Sequence, residues 1–123
     1  MLTKLNSYKA VVNEFNWHVP QDYNIAWDIC DKWVAESHRI ALMDETDDGV
    51  VRYFSFKDIY LFSNQLANVL SALGLERGDR VGILMPQRLE VAVTHLATYR
   101  SGAIAVPLFT LFGQDALQYR LKD

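Results

Sequence analysis

Residues 77–107 read RGDRVGILMPQRLEVAVTHLATYRSGAIAVP, and their pattern decides the fold. Arg80-Val81-Gly82-Ile83-Leu84-Met85 is a nearly continuous apolar run, and so is Ala103-Ile104-Ala105-Val106. Runs that do not alternate polar with apolar suit strands covered on both faces. Between them Leu89, Ala92, Val93, Leu96 and Ala97 fall on one helical stripe. The span from Pro86 to Gly102 is long enough to bring the chain back parallel. The stretch therefore predicts one βαβ unit with a right-handed crossover, and the rest of the chain reads as cover and edge for its sheet.

Upstream, Ser55 and Asp58 form an S-x-x-D capping box. The helix it opens has Ile59, Phe62, Ser63, Leu66, Ala67, Leu70 and Leu73 on its inner face and ends at Gly74. Gly78-Asp79 turns into the first buried strand, and Pro86 closes that strand because proline cannot donate to a ladder. Ile40–Met43 and Val50–Phe54, joined through Asp48-Gly49, predict an antiparallel hairpin at the sheet edge. Asn24 caps a helix from Ile25 to about Ser37, with Ala26, Ile29, Cys30 and Trp33 on one face. Leu5, Tyr8, Val12 and Phe15 suggest a short amphipathic helix packed on the domain, or alternatively a partner-binding helix. Downstream, Phe109–Phe112 is an apolar loop and Gln114–Asp123 begins another helix. The predicted class is α/β: a partial three-layer sheet with a parallel βαβ core, an edge hairpin and covering helices. Residues 1–123 read as an incomplete domain whose apolar faces need further chain or another chain to cover them.

Composition narrows the function without naming it. At 123 residues, 50% hydrophobic and 22% charged, the chain is ordinary for a globular protein. A net charge of −3 with no long like-charge run gives no reason to expect nucleic acid. No apolar stretch could span a bilayer, and the first residues lack the apolar block of a signal peptide. A lone cysteine, Cys30, excludes an internal disulfide framework and fits a reducing, cytoplasmic setting. It reads as a small core residue. The glycines match neither G-x-G-x-x-G nor a P-loop, and there is no G-x-S-x-G elbow. His18, His38 and His95 form no metal or nucleophile constellation with Cys30. His95 reads as the polar edge of a packed helix, and Asp28/Asp31 and Asp47/Asp48 as solvated-face and turn carboxylates. The residues alone predict no catalytic group and no metal ligand.

An ordered set of short motifs says more. Tyr53-x-Ser55-Phe56-x-x-Ile59, Asn64-x-x-Ala67-Asn68-x-Leu70, Gly74-x-x-x-Gly78-Asp79-Arg80-Val81, Met85-Pro86 and Ala97-x-Tyr99-x-x-Gly102-Ala103-Ile104-x-Val106-Pro107-Leu108 follow one another at matching spacings. The set resembles the start of AMP-forming acyl-CoA synthetases, members of the adenylate-forming superfamily. Phe15-Asn16-Trp17-x-Val19-Pro20, Tyr23-Asn24 and Tyr119-Arg120-Leu121 look most like acetate-to-medium-chain and benzoate-type members. The resemblance implies a ligase of fatty acid metabolism that joins a carboxylic acid to ATP as an acyl-adenylate and then transfers the acyl group to CoA, with Mg²⁺ assisting. It also implies that the phosphate loop, the Thr-Glu pair near Mg²⁺, the ribose-binding Asp and the catalytic lysine have no counterpart in these residues. The portion alone is then expected to be inactive and to bind no ATP, Mg²⁺ or CoA by itself, and its partner would be the remaining synthetase chain or a second copy. By position in the family, Phe109, Thr110 and Leu111 would lie near the nucleotide end of CoA; the alternative is an apolar loop packed on further chain. The rival functional reading is a stand-alone, non-enzymatic interaction module that keeps the fold. A flavodoxin- or receiver-like domain fits less well, for want of an acidic cluster or phosphate loop at the strand ends.

Overall fold

A computed structural model describes residues 6–36 and 38–122 of the chain. The stretch that decides the fold forms the predicted unit, although its first strand stops at Ile83, short of the Pro86 expected to close it. Strand β3 (Arg80–Ile83), helix α4 (Leu89–Arg100) and strand β4 (Ile104–Pro107) make a βαβ unit, and the strands pair in parallel from Arg80 opposite Ile104 to Ile83 opposite Pro107. Helix α4 stops where Gly102 takes φ +69°. There the Ala103 N–H donates to Thr98 O at 3.0 Å and the Gly102 N–H to Tyr99 O at 3.1 Å, the two bonds of a Schellman stop. The same corner starts the ladder: the Gly78 N–H donates to Gly102 O at 3.0 Å, and the Ile104 N–H to Asp79 O at 2.7 Å. One glycine thus ends the helix and sets the register of both strands.

The covering on both faces that the apolar runs predict is only partly present. Ile83 is buried, whereas Leu84 and Ile104 are exposed. Helix α4 lies against both strands on one side and against helix α3 (Phe56–Ala72) on the other.

Helix α3 begins at the capping box. Ser55 Oγ accepts the Asp58 N–H at 3.2 Å, and Asp58 Oδ2 accepts the Ser55 N–H at 2.8 Å. The helix ends in a second Schellman stop at Gly74 (φ +95°), with Leu75 N–H donating to Leu70 O at 3.0 Å. Its buried stripe is Ile59, Ser63 and Ala67, an i, i+4 row; Phe62 and Leu73 sit off that row and are exposed.

Strands β1 (Ile40–Glu45) and β2 (Val51–Ser55) form the expected antiparallel hairpin, with an irregularity between Ile40 and Leu42. They make a sheet of their own and are not hydrogen-bonded to the edge of the parallel pair. The reason lies in the connection: β2 runs without a loop into α3, and the Phe56 N–H is taken by Arg39 O at 3.2 Å. The hairpin is therefore held against α3, not beside β3.

Ala26, Cys30, Ile59 and Leu96 form the buried centre, with Leu42, Phe54, Phe56, Tyr60, Leu89 and Tyr99 packed around it. Ala26 comes from helix α2 (Ile25–Ile29) and Cys30 from its C-cap; the helix is shorter than its apolar period predicts. The helix breaks at Cys30 (φ −127°, ψ −62°) into a single 3₁₀ turn over Asp31–Trp33, leaving Ile29 exposed; Ser37 lies outside the described residues. Helix α1 (Tyr8–Glu14) forms but buries no residue, contrary to the packed helix its pattern suggests; Leu5 lies outside the described residues. Helix α5 (Gln114–Lys122) closes the described chain. Its Leu121 reaches back over β3, where a Cβ on Gly82 would come within 3.3 Å of Leu121 Cδ2.

Candidate functional site

Two places on the fold have the shape or chemistry of a site. The first is the loop after β4, which holds Phe109, Thr110 and Leu111. All three are exposed, Leu111 to 80%. The loop is braced from behind. Leu108 is buried and its N–H extends the ladder to Ile83 O at 2.8 Å. Phe109 meets Phe112 edge-on with ring centroids 5.8 Å apart, and the Phe112 N–H donates to Phe109 O at 3.0 Å. The Arg120 guanidinium lies 4.2 Å from the Phe112 ring centre, a cation–π contact, while donating to Ala116 O at 3.1 Å. The loop thus presents two apolar side chains, a hydroxyl and a nearby guanidinium.

The second is an open cleft of about 850 Å³ between residues 20–28 and the C-terminal end of α4. Asn24 builds its floor. Its Oδ1 accepts the Ala26 N–H at 2.9 Å, capping α2, and its Nδ2 donates to Tyr99 O at 3.2 Å and Arg100 O at 3.4 Å, two of the last carbonyls of α4. One side chain therefore satisfies both helix ends. Trp27 and Tyr23 stand exposed on the rim, and the Arg77 stem lies over Gly102. Lys32 and the Tyr23 hydroxyl both donate to Asp28, which holds its carboxyl below the usual range and raises the Tyr23 phenol.

Behind the cleft is the polar constellation that sequence reasoning missed. Arg100 makes two bonds to Asp31, at 2.6 and 2.7 Å, and a third to Ser63 Oγ at 3.2 Å. Its guanidinium also lies 5.1 Å from the Tyr60 ring centre. Arg100 and Asp31 are each only 17% exposed, so Asp31 is not the solvated-face carboxylate expected of it. Bonding to Asp31 raises the Arg100 pKa, and burial opposes this. The nearby Cys30 thiol is buried, and its pKa is pushed up, chiefly by burial and then by the Asp31 charge, with the Arg100 charge opposing. A separation of 69 positions between Asp31 and Arg100 hid this pair from any local pattern. The only trace in sequence is an arginine next to an apolar stripe, which has no preferred partner until the helices cross. Asp44, buried and bonded to Arg52 at 2.8 Å across the hairpin, was hidden in the same way.

His95 lies on α4 as expected, with Nδ1 3.1 Å from the Tyr99 hydroxyl, and no carboxylate among the described residues is bonded to the pair. Among the described residues no three His, Cys, Asp or Glu side chains are grouped to hold a metal ion. Positive φ occurs only at Gly49, Gly74, Gly78 and Gly102 among them, and each serves a turn or a helix stop. The described residues brace a fold and present the loop at 109–111.

Residues 31–123 match the family described as AMP-binding enzyme. The chain belongs to the AMP-binding enzyme family. Its curated relatives include the acetyl-coenzyme A synthetase of Nitrosomonas europaea, 33% identical over 94% of this chain and 19% of the relative. Another is the 3-hydroxypropionyl-coenzyme A synthetase of Sulfurisphaera tokodaii, 34% identical over 87% of this chain and 16% of the relative. Among solved structures, an acyl-CoA synthetase of Brucella canis superposes with a TM-score of 0.88 at 30% identity, covering 96% of this chain and 23% of that one. ATP-bound MatB of Rhodopseudomonas palustris superposes with a TM-score of 0.70 at 33% identity, over 81% of this chain and 19% of that one. This member of the AMP-binding enzyme family thus spans about a fifth of the length of the curated relatives it matches. The α/β class and the family resemblance read from the motifs agree with these matches. No helix among the described residues is long and apolar enough to cross a membrane.

Proposed function

We propose that these residues are scaffold for an AMP-forming acyl-CoA synthetase, supplying part of its large domain and none of the reacting groups. The observation that carries the reading is the overlap of 96% of the chain with about a quarter of an acyl-CoA synthetase at a TM-score of 0.88. In the complete enzyme a carboxylate would attack the α-phosphate of ATP, releasing pyrophosphate, and the CoA thiol would then displace AMP from the acyl-adenylate. Positioning and charge stabilisation dominate such chemistry. The groups that provide them, and any Mg²⁺, would be held by residues without counterpart here. The part played by this chain is mechanical: α4, locked by Arg100–Asp31 and Asn24, holds β3 and β4 at one register, and β4 delivers the loop at 109–111.

Phe109, Thr110 and Leu111 would meet the nucleotide end of CoA in that enzyme. Their exposure supports this, as does the Arg120 guanidinium stacked on the neighbouring Phe112 ring, a group suited to a phosphate. The purified 123-residue chain is expected to form no acyl-CoA from ATP, CoA and a carboxylic acid; turnover that scales with its concentration would overturn the scaffold reading. Conversely, grafting this chain in place of the matching quarter of the Brucella canis enzyme should preserve ATP-dependent thioester formation. In that graft Thr110→Ala with Leu111→Ala should raise the KM for CoA and leave the KM for ATP unchanged; equal effects on both would remove the loop from CoA contact.

A further inference from the structure

Residues 6–22 form an arm whose conformation the described body does not explain. Helix α1 has seven residues, and isolated helices shorter than about 12–15 residues are marginal in water. Ser7 caps it, with Oγ accepting the Ala10 N–H at 3.2 Å, but no α1 residue is buried. Every hydrogen bond involving residues 6–22 among the described residues closes within the arm. Yet the arm carries Tyr8, Val12, Phe15, Trp17 and Val19, all exposed, Tyr8 to 84% and Trp17 to 85%. Trp17 meets Phe15 edge-on at 4.9 Å, so the two rings form one exposed aromatic pair. Its charges, Lys9 against Glu14 and Asp22, supply no strong field, so a partner would meet it through apolar contact.

The superposition on the Brucella canis enzyme points to that partner. It covers all but 4% of this chain, about five residues, and so takes in most of the arm, in a chain more than four times as long. A helix this short, kept without local support, calls for cover from the rest of that longer chain. We infer that the arm is a strap whose Tyr8, Phe15 and Trp17 side chains dock on the part of the acyl-CoA synthetase fold that this chain does not span. This rests on the scaffold reading above and names the partner of one of its surfaces.

Hydrogen exchange read by mass spectrometry tests it, on the free chain and on the graft described above. In the free chain, amides 6–19 exchange at the rate of an unstructured peptide, while those of α4 are protected. In the graft the arm slows by about tenfold or more, and Tyr8→Ala with Trp17→Ala restores fast exchange there and lowers the Tm of the graft by several degrees without changing that of the free chain. An arm that exchanges equally fast in the graft overturns the inference. So does an arm already protected in the free chain: with a monomer by sedimentation its own body holds it, and with a dimer a second copy does. Thioester formation by the graft reports separately on the scaffold reading, so either can fail alone.

Discussion

Helix α4 and helix α1 are both amphipathic by sequence, and they meet opposite fates. α4 buries Val93, Leu96, Ala97 and Thr98 between α3 and the parallel strands and is tied at its C-terminal end by Asn24, Asp31 and Ser63. α1 carries the same kind of period and buries nothing. An apolar stripe states that a helix will have a partner; it does not state whether that partner lies within the same hundred residues. The contrast divides the molecule into a body that accounts for its own packing and outer surfaces that do not: the arm, the exposed Leu84 and Ile104 at the parallel strands, and the 109–111 loop.

The contrast can be broken first at the body. Leu96→Ala should cost about 3 kcal/mol, because a nearly buried leucine would leave a cavity between two helices; a loss below about 1 kcal/mol in urea unfolding would mean that the centre is loosely packed. Arg100→Ala strands Asp31 and Ser63 behind the cleft. At 17% exposure on both partners the loss should be about 2–3 kcal/mol, short of a fully buried pair. Adding Asp31→Ala should recover part of it, and strict additivity would show that the pair is not coupled.

A smaller effect tests the junction between hairpin and α3. Ser55→Ala removes half the capping box, at about 1 kcal/mol. The Ser55 hydroxyl and N–H hold the Asp58 carboxyl below its ordinary value. A carboxyl depressed in the folded state adds stability that is complete above its unfolded pKa, about 3.9, and is lost as pH falls through the folded value. Unfolding curves should therefore show an acid-side loss between pH 4 and lower values that Asp58→Asn removes, and an unchanged pH profile in that variant would rule Asp58 out as its source. The smallest effect belongs to the outer surfaces: Leu111→Ala in the free chain should shift stability by less than about 0.5 kcal/mol. A larger loss would place the loop inside the body's own packing.

Local chemistry was legible wherever a residue's partners lie within a few positions. The capping box at Ser55, the stops at Gly74 and Gly102, the turn at Gly49 and the Asn24 cap all appear where their residue types predict. The βαβ unit was legible too, because apolar runs and a helical stripe of the right lengths admit few other arrangements. The candidate loop at 109–111 came from family likeness and not from its own chemistry, since two apolar residues around a threonine specify no ligand.

By itself, then, the amino-acid order settled most of the elements, the ends that carry a cap or a glycine stop, and the family, because hydrogen-bonded caps, period and turn chemistry act over three or four residues. Tertiary structure alone decided that α2 breaks at Cys30, that Asp31 reaches Arg100, that the hairpin stands apart from β3, and that α1 stays uncovered. Each of these depends on which surfaces meet across tens of residues, and burial energy is set by that meeting and not by any residue's neighbours in the chain.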